Sequence, residues 1–185
     1  MAVVLDTDDL PAEDRAEAVV SAMHDSSITS YISSEGQDGI AQARMDVWAF
    51  GTASVLRSAL SGIQLARTAK QVRTCPSPNL VISVQEIGAA RWQQHGEQRV
   101  IAPRQLLVTD ENSPYEFSWA GRGASQCLFV SLDDLGLPHE LISDAGTRLH
   151  TSRGYRRRRF TSKARHSSAR RFSSDNDVRP RRWQS

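Results

Sequence analysis

Five histidines, two cysteines and a scatter of serines are the residues from which chemistry could be built, and their spacing argues against it. His24, His95, His139, His150 and His166 never fall two apart on one strand. A metal centre in a small β-barrel needs closely spaced imidazoles and a carboxylate converging from neighbouring inward-facing strands. His95 precedes Gly96 in a turn signal, and the others fall in helical or tail segments. No metal and no cofactor is expected. Cys75 stands beside a proline, and Cys127 lies in the apolar run Gln126–Val130, where a buried thiol is inert. None of the serines occupies a strand–turn–helix elbow, and the glycines match no phosphate-binding fingerprint. A catalytic role is therefore not expected.

The aromatic residues are better placed. Trp48, Phe50, Trp92, Tyr115, Phe117 and Trp119 all fall in segments with strand character. Each can serve as core packing or line a ligand cavity at a barrel mouth. Tyr115, Phe117 and Trp119 share one strand face by period two, so they are inside together or outside together. These six are the candidate ligand-binding residues.

The elements that must position them lie mostly between Asn79 and Leu132. Leu80–Ile87, Ala89–Gln93, Gln98–Ile101, Leu106–Thr109, Tyr115–Trp119 and Gln126–Leu132 read as short strands. His95-Gly96, Pro103, Asn112-Ser113-Pro114 and Gly121-Arg122-Gly123 read as the turns and breaks between them. Several strands at such spacing indicate a sandwich or barrel. Upstream, residues 1–9 read as an irregular lead-in. A helix opens at Pro11 with Glu13 and Asp14 in its first turn, and Ala16, Val19, Val20 and Met23 form its buried stripe. Residues 29–42 are weakly patterned, with loop material at Ser33-Ser34. Met45–Phe50 and Val55–Leu60 read as strands, Ser61-Gly62 as a turn, and Ile63–Val72 as a further strand or strand pair with a bulge or bend. Cys75-Pro76-Ser77-Pro78 is a rigid linker. After Leu132, helix-start signals at Asp133-Asp134 and Pro138-His139-Glu140 predict a helix with Leu135, Leu137, Leu141, Ile142 and Leu149 on its apolar face.

Charge divides the chain. The net +2 of the whole chain conceals a segment, residues 151–185, with eleven arginines and one lysine against two aspartates, a local +10 that leaves −8 in residues 1–150. Val178 is the only Val, Ile or Leu in that segment. Such a composition cannot offset its ordering entropy, so it reads as a disordered tail. Arg156, Arg157, Arg158 and Arg159 could contact nucleic-acid phosphates nonspecifically. We read the abrupt change instead as that of an out-of-frame translation of a GC-rich gene. The acidic opening MAVVLDTDDL is not a signal peptide, and no run is long enough to span a membrane, so a cytoplasmic protein is expected.

Taken in order, Leu10-Pro11-Ala12-Glu13-Asp14-Arg15, Leu80-Val81-Ile82-Ser83-Val84-Gln85, Gln94-His95-Gly96-Glu97, Val108-Thr109-Asp110 with Ser113-Pro114-Tyr115-Glu116, and Leu128–Leu132 resemble the N-terminal, cupin-like ligand-binding domain of AraC-type transcriptional regulators. The resemblance covers about residues 10–150. It implies a mainly β, cupin-like (jelly-roll) barrel with an N-terminal helix and a C-terminal helical segment. It also implies a small effector held in the barrel and a homodimer. Leu135, Leu141, Ile142 and Leu149 are the candidate dimerisation residues. Two features depart from the family. Pro103-Arg104-Gln105 replaces its usual Pro-Gly-Asp turn, which costs stability if Arg104 must take a positive φ. And no pair of helices joined by a short turn can be written in 151–185, so sequence-specific DNA binding is not expected of this chain. The domains are thus 1–150 for ligand binding and dimerisation and 151–185 for the tail. A small cupin-type enzyme, or a nonspecific nucleic-acid binder acting through the tail, is the alternative.

Overall fold

The computed structural model describes residues 2–26, 30–34 and 42–149. Its spine is an antiparallel pair of two long strands, β4 (Ala53–Arg67) and β9 (Tyr115–Ser131), in register from Ser54 opposite Phe129 to Arg67 opposite Tyr115. Both were expected to be broken by turns, and both run through. Ser61-Gly62 is a bulge in β4, where the register shifts and Gly62 takes φ 52°. In β9, Gly123 serves close approach rather than reversal, as does Gly88 after β5. A Cβ on Gly123 would lie 2.1 Å from the Trp119 ring. A Cβ on Gly88 would lie 2.5 Å from the Arg122 carbonyl oxygen. Only bare backbone fits at either position.

This pair carries two arms of sheet. The first arm joins the start of β4 to the end of β9. β3 (Ala43–Phe50) lies beside β4 and β1 (Ala2–Asp6) beside β3; β5 (Asn79–Ile87) lies beside β9 and β8 (Leu106–Asp110) beside β5. The second arm joins the end of β4 to the start of β9, with β2 (Tyr31–Ser34) beside β4, β6 (Ala90–Gln94) beside β9, and β7 (Glu97–Ile101) beside β6. The inward rows of both arms meet in one core, which includes Met45, Leu56, Leu60, Ile63, Trp92, Ile101, Trp119 and Phe129. The fold is mainly β, as the strand and turn spacing implied.

The helices arise from local signals. Pro11–Asp14 form a turn, and α1 (Arg15–Ser26) comes next, burying Val19 and Met23 in the core while Ala16 is exposed. α2 (Ala69–Thr74) replaces the expected end of the Ile63–Val72 strand. Thr68 and Gln71 form a reciprocal capping box: the Gln71 N–H donates to Thr68 Oγ1 at 3.3 Å and the Thr68 N–H to Gln71 Oε1 at 2.9 Å. α3 (Leu132–Leu135) ends at Gly136 with φ 59°, and α4 (His139–Leu149) packs on β8. There a Cβ on Gly146 would come within 3.3 Å of Val108 Cγ1.

Two further expectations are corrected. Residues 2–9 are not an irregular lead-in: β1 pairs with β3, and the buried Thr7 hydroxyl donates to the Ala43 carbonyl at 3.2 Å and accepts from the Ala43 N–H at 2.8 Å. Ser33-Ser34, read as loop, lie on β2. The His95-Gly96 hairpin stands, with φ 52° and 76°, the left-handed pair that a two-residue turn requires. Arg104 does take φ 71°, the strained conformation the sequence raised. Its N–H donates to the Gln85 carbonyl at 2.6 Å, which holds the turn in place. The arginine-rich segment, with Arg156 to Arg159, lies outside the described residues.

Candidate functional site

Strand parity decides which side chains face the interior. On β4, Leu56, Ser58 and Leu60 point inward; on β5, Val81 and Ser83; on β9, Ser125, Cys127 and Phe129. Ser58 stands opposite Ser125 and Ser83 opposite Cys127, so the first arm presents a row of small polar groups to the core. The second arm presents aromatics: Trp92 from β6, opposite Phe117 on β9, with Tyr115 and Trp119 two residues to either side. Phe117 and Trp119 meet edge to face at 5.2 Å.

Between the arms lies a cavity of about 80 Å³, bordered by these residues together with Thr109, Glu111 and Met23 of α1. Trp92 is 5% exposed and Trp119 2% exposed, and neither indole N–H has a hydrogen-bond partner among the described residues. An unpartnered buried donor costs about 1–3 kcal/mol, and both indoles with such a donor border this cavity.

A polar network ties the segments together beside the cavity at Glu111. Arg67, 1% exposed at the end of β4, donates from Nε to the Glu111 carbonyl oxygen at 2.7 Å. The Glu111 carboxylate accepts from the Ser77 hydroxyl at 2.6 Å. Ser77 and Asn112 exchange two hydrogen bonds of 2.9 Å, fixing the Cys75–Pro78 linker to the β8–β9 turn. Gln94 donates from Nε2 to the Asp110 carbonyl at 2.7 Å and so holds β6 to the same turn. Burial pushes the Glu111 carboxyl above its ordinary range, against the opposing pull of the Ser77 hydrogen bond and the Arg67 charge. Burial likewise raises the Tyr115 phenol, and it pushes the Cys127 thiol up to about 11, leaving it protonated and unreactive at neutral pH. The cavity lining thus includes hydroxyls, a thiol, a carboxyl whose pKa burial raises, and two indoles whose N–H groups have no partner among the described residues. Among the described residues there is no group of three or more His, Cys, Asp or Glu side chains arranged to hold a metal ion.

Of the six aromatic candidates, Trp92, Tyr115, Phe117 and Trp119 border the cavity. Trp48 and Phe50 do not. On β3 the inward parity belongs to Met45 and Val47, which puts Trp48, opposite Val55, and Phe50, 62% exposed, on the outer face. Sequence reasoning missed Ser58, Ser83, Thr109, Glu111, Ser125 and Cys127 as cavity residues. The available signal was parity: Ser58 falls between Leu56 and Leu60, where a core face would be wholly apolar. Of the leucine-rich helical residues, Ile142 is buried against the sheet, Leu135 and Leu149 are half-buried, and Leu141 is exposed. An open groove of about 520 Å³ crosses the outer face of the second arm, lined by Gln64, Arg91, Gln93, Gln98, Glu116 and Ser118. Trp92 and Phe117 border both spaces.

An AraC-binding-like domain family matches residues 32–181, most of the chain. The chain belongs to this family. The match runs past residue 150 into the arginine-rich segment. The resemblance read from the order of strands and turns is therefore correct, and the interior cavity lies in an AraC-binding-like domain. No curated protein matches the sequence. Among solved structures, the AraC-like transcriptional activator CuxR is similar at 18% identity and a TM-score of 0.48, over 62% of this chain and 39% of that one. An HTH_3-family transcriptional regulator from Vibrio cholerae is similar at 5% identity and 0.40, over 48% and 50%. The cupin_2 domain of an XRE-family regulator from Enterobacter cloacae is similar at 16% and 0.36, over 46% and 94%. The matched region thus spans about two fifths of the activator and half of the Vibrio regulator.

Proposed function

We propose that this AraC-binding-like domain is the sensory part of a transcription regulator: it binds a small effector between its two arms, forms a homodimer and catalyses no reaction. The observation that carries this reading is the cavity of about 80 Å³ bordered by two indoles whose buried N–H groups have no partner among the described residues, in a chain of this family. The absence of enzymatic activity is supported by the lining's thiol, which burial holds protonated and so unfit as a nucleophile. Dimerisation is supported by the exposed apolar residues Leu137, just before α4, and Leu141, within it, 56% and 58% exposed. No helix among the described residues is long and apolar enough to cross a membrane, and a cytoplasmic location suits a regulator.

A thermal-shift screen of the full chain against small metabolites tests the sensory role. At least one compound is expected to raise Tm without being consumed, and Ser125→Val, which narrows the cavity, is expected to abolish the shift. Conversion of the compound, or an undiminished shift in Ser125→Val, contradicts the reading. Sedimentation tests the dimer: the wild-type chain is expected to sediment as a dimer and Leu141→Glu as a monomer.

A further inference from the structure

The lining of the cavity specifies its occupant more narrowly than effector binding alone requires. The cavity is small: a void of about 150 Å³ admits benzene, and this one measures about 80 Å³. Among the described residues, its lining contains no lysine or arginine. Arg67, the nearest buried cation, directs Nε to the Glu111 carbonyl and a terminal nitrogen to the Cys75 carbonyl. An anion would have to share the Arg67 charge with the Glu111 carboxylate and would find no cation in the lining itself, so its desolvation would be poorly compensated. A cation would have only Glu111 to pair with, and that carboxyl already accepts the Ser77 hydrogen bond and feels the Arg67 charge.

What these two indoles lack is an acceptor. The indole N–H can only donate, and the Trp92 and Trp119 N–H groups, both more than nine-tenths buried, have none among the described residues. Across from the aromatics stand the hydroxyls of Ser58, Ser83 and Ser125, neutral groups that impose no charge on a ligand; Ser83 already donates to the Leu107 carbonyl at 3.3 Å. Building on the sensory role, on which this inference rests, we propose that the cavity takes an uncharged compound of about four to six heavy atoms bearing an acceptor oxygen, a short-chain ketone, aldehyde or ester, with that oxygen held by the indole N–H groups of Trp92 and Trp119.

The test is a titration of the ¹⁵N-labelled full-length chain, following the indole N–H resonances assigned through Trp→Phe variants. Three probes of similar size are used: butan-2-one, isobutyrate and propylammonium. Trp48, on the outer face, serves as the internal reference. Butan-2-one is expected to shift the Trp92 and Trp119 resonances saturably and leave Trp48 in place, while the two ions shift neither. Trp119→Phe, which keeps an aromatic ring and removes the donor, is expected to weaken the butan-2-one dissociation constant about three- to tenfold. Saturable shifts with isobutyrate or propylammonium and none with butan-2-one overturn the assignment of ligand class and leave the sensory reading standing. An unchanged dissociation constant in Trp119→Phe overturns the role of the indole. Silence with all three probes overturns the inference, and the sensory reading falls with it only if the thermal-shift screen is silent too.

Discussion

The two arms are built on the same pair of strands, yet they line the cavity in different ways. The first arm turns small polar side chains inward from β4, β5 and β9; the second turns rings inward from β6 and the start of β9. On both arms the outer faces are set by the same parity, so Trp48 and Phe50 face out of the first arm while Gln93, Glu116 and Ser118 face out of the second. The contrast shows that a site of this kind is a difference between two sheet faces rather than a motif. One face supplies shape and N–H donors, and the other supplies adaptable hydroxyls.

The change with the largest expected effect strikes where the arms meet. Gly123→Ala places a methyl 2.1 Å from the buried Trp119 ring, which must leave its position. We expect a loss of about 3 kcal/mol in urea denaturation together with a changed near-ultraviolet signal from Trp119. A loss confined to a few tenths would mean the bend tolerates a side chain. Next comes Arg67→Met, which unties the end of the second arm by removing the donor to the Glu111 carbonyl. A loss of about 2–3 kcal/mol is expected by the same measurement.

Glu111 makes that tied end sensitive to pH. Because burial raises its pKa in the folded protein, the folded state holds the proton more tightly than the unfolded chain does. Stability from this group is full below the ordinary carboxylate range and declines as pH climbs from there through the raised folded value. Glu111→Gln should flatten that decline in denaturation midpoints measured across the window; an unchanged slope would assign the pH dependence elsewhere. Arg104→Gly acts on the β7–β8 turn that connects the arms and should stabilise the fold by up to about 1 kcal/mol, since glycine takes φ 71° without strain. Phe50→Ser, on the outer face, should change stability by less than about 0.5 kcal/mol and leave ligand response untouched.

Much of this architecture could be read in the sequence, and the failures share physical causes. Hairpin turns were legible where glycine coincided with a gap in the apolar pattern, as at His95-Gly96. Gly62 and Gly123 misled because glycine serves not only reversal but also a strand bulge, as at Gly62, and close approach, as at Gly123. Only the three-dimensional position of Trp119 distinguishes the two at Gly123. β1 was missed because Ala2-Val3-Val4-Leu5-Asp6 does not alternate, and what holds it is pairing with distant β3. The Thr68–Gln71 capping box was present in the sequence and was outweighed by the β-type residues around it. For the site, parity placed Tyr115, Phe117 and Trp119 on one face but could not say which. It could not exclude Trp48 and Phe50 without knowing that Met45 and Val47 take the inside. Buried serines carry no sequence signal of their own until the strand faces are known.

A crystal structure of the full chain with a compound from the thermal-shift screen would decide where the effector sits. If the interior cavity is the sensory site, ligand density will be enclosed between Trp119 on one side and Ser125 on the other, within hydrogen-bond distance of an indole nitrogen. Density in the outer groove beside Gln93 and Glu116, with the interior cavity unchanged, would contradict that assignment.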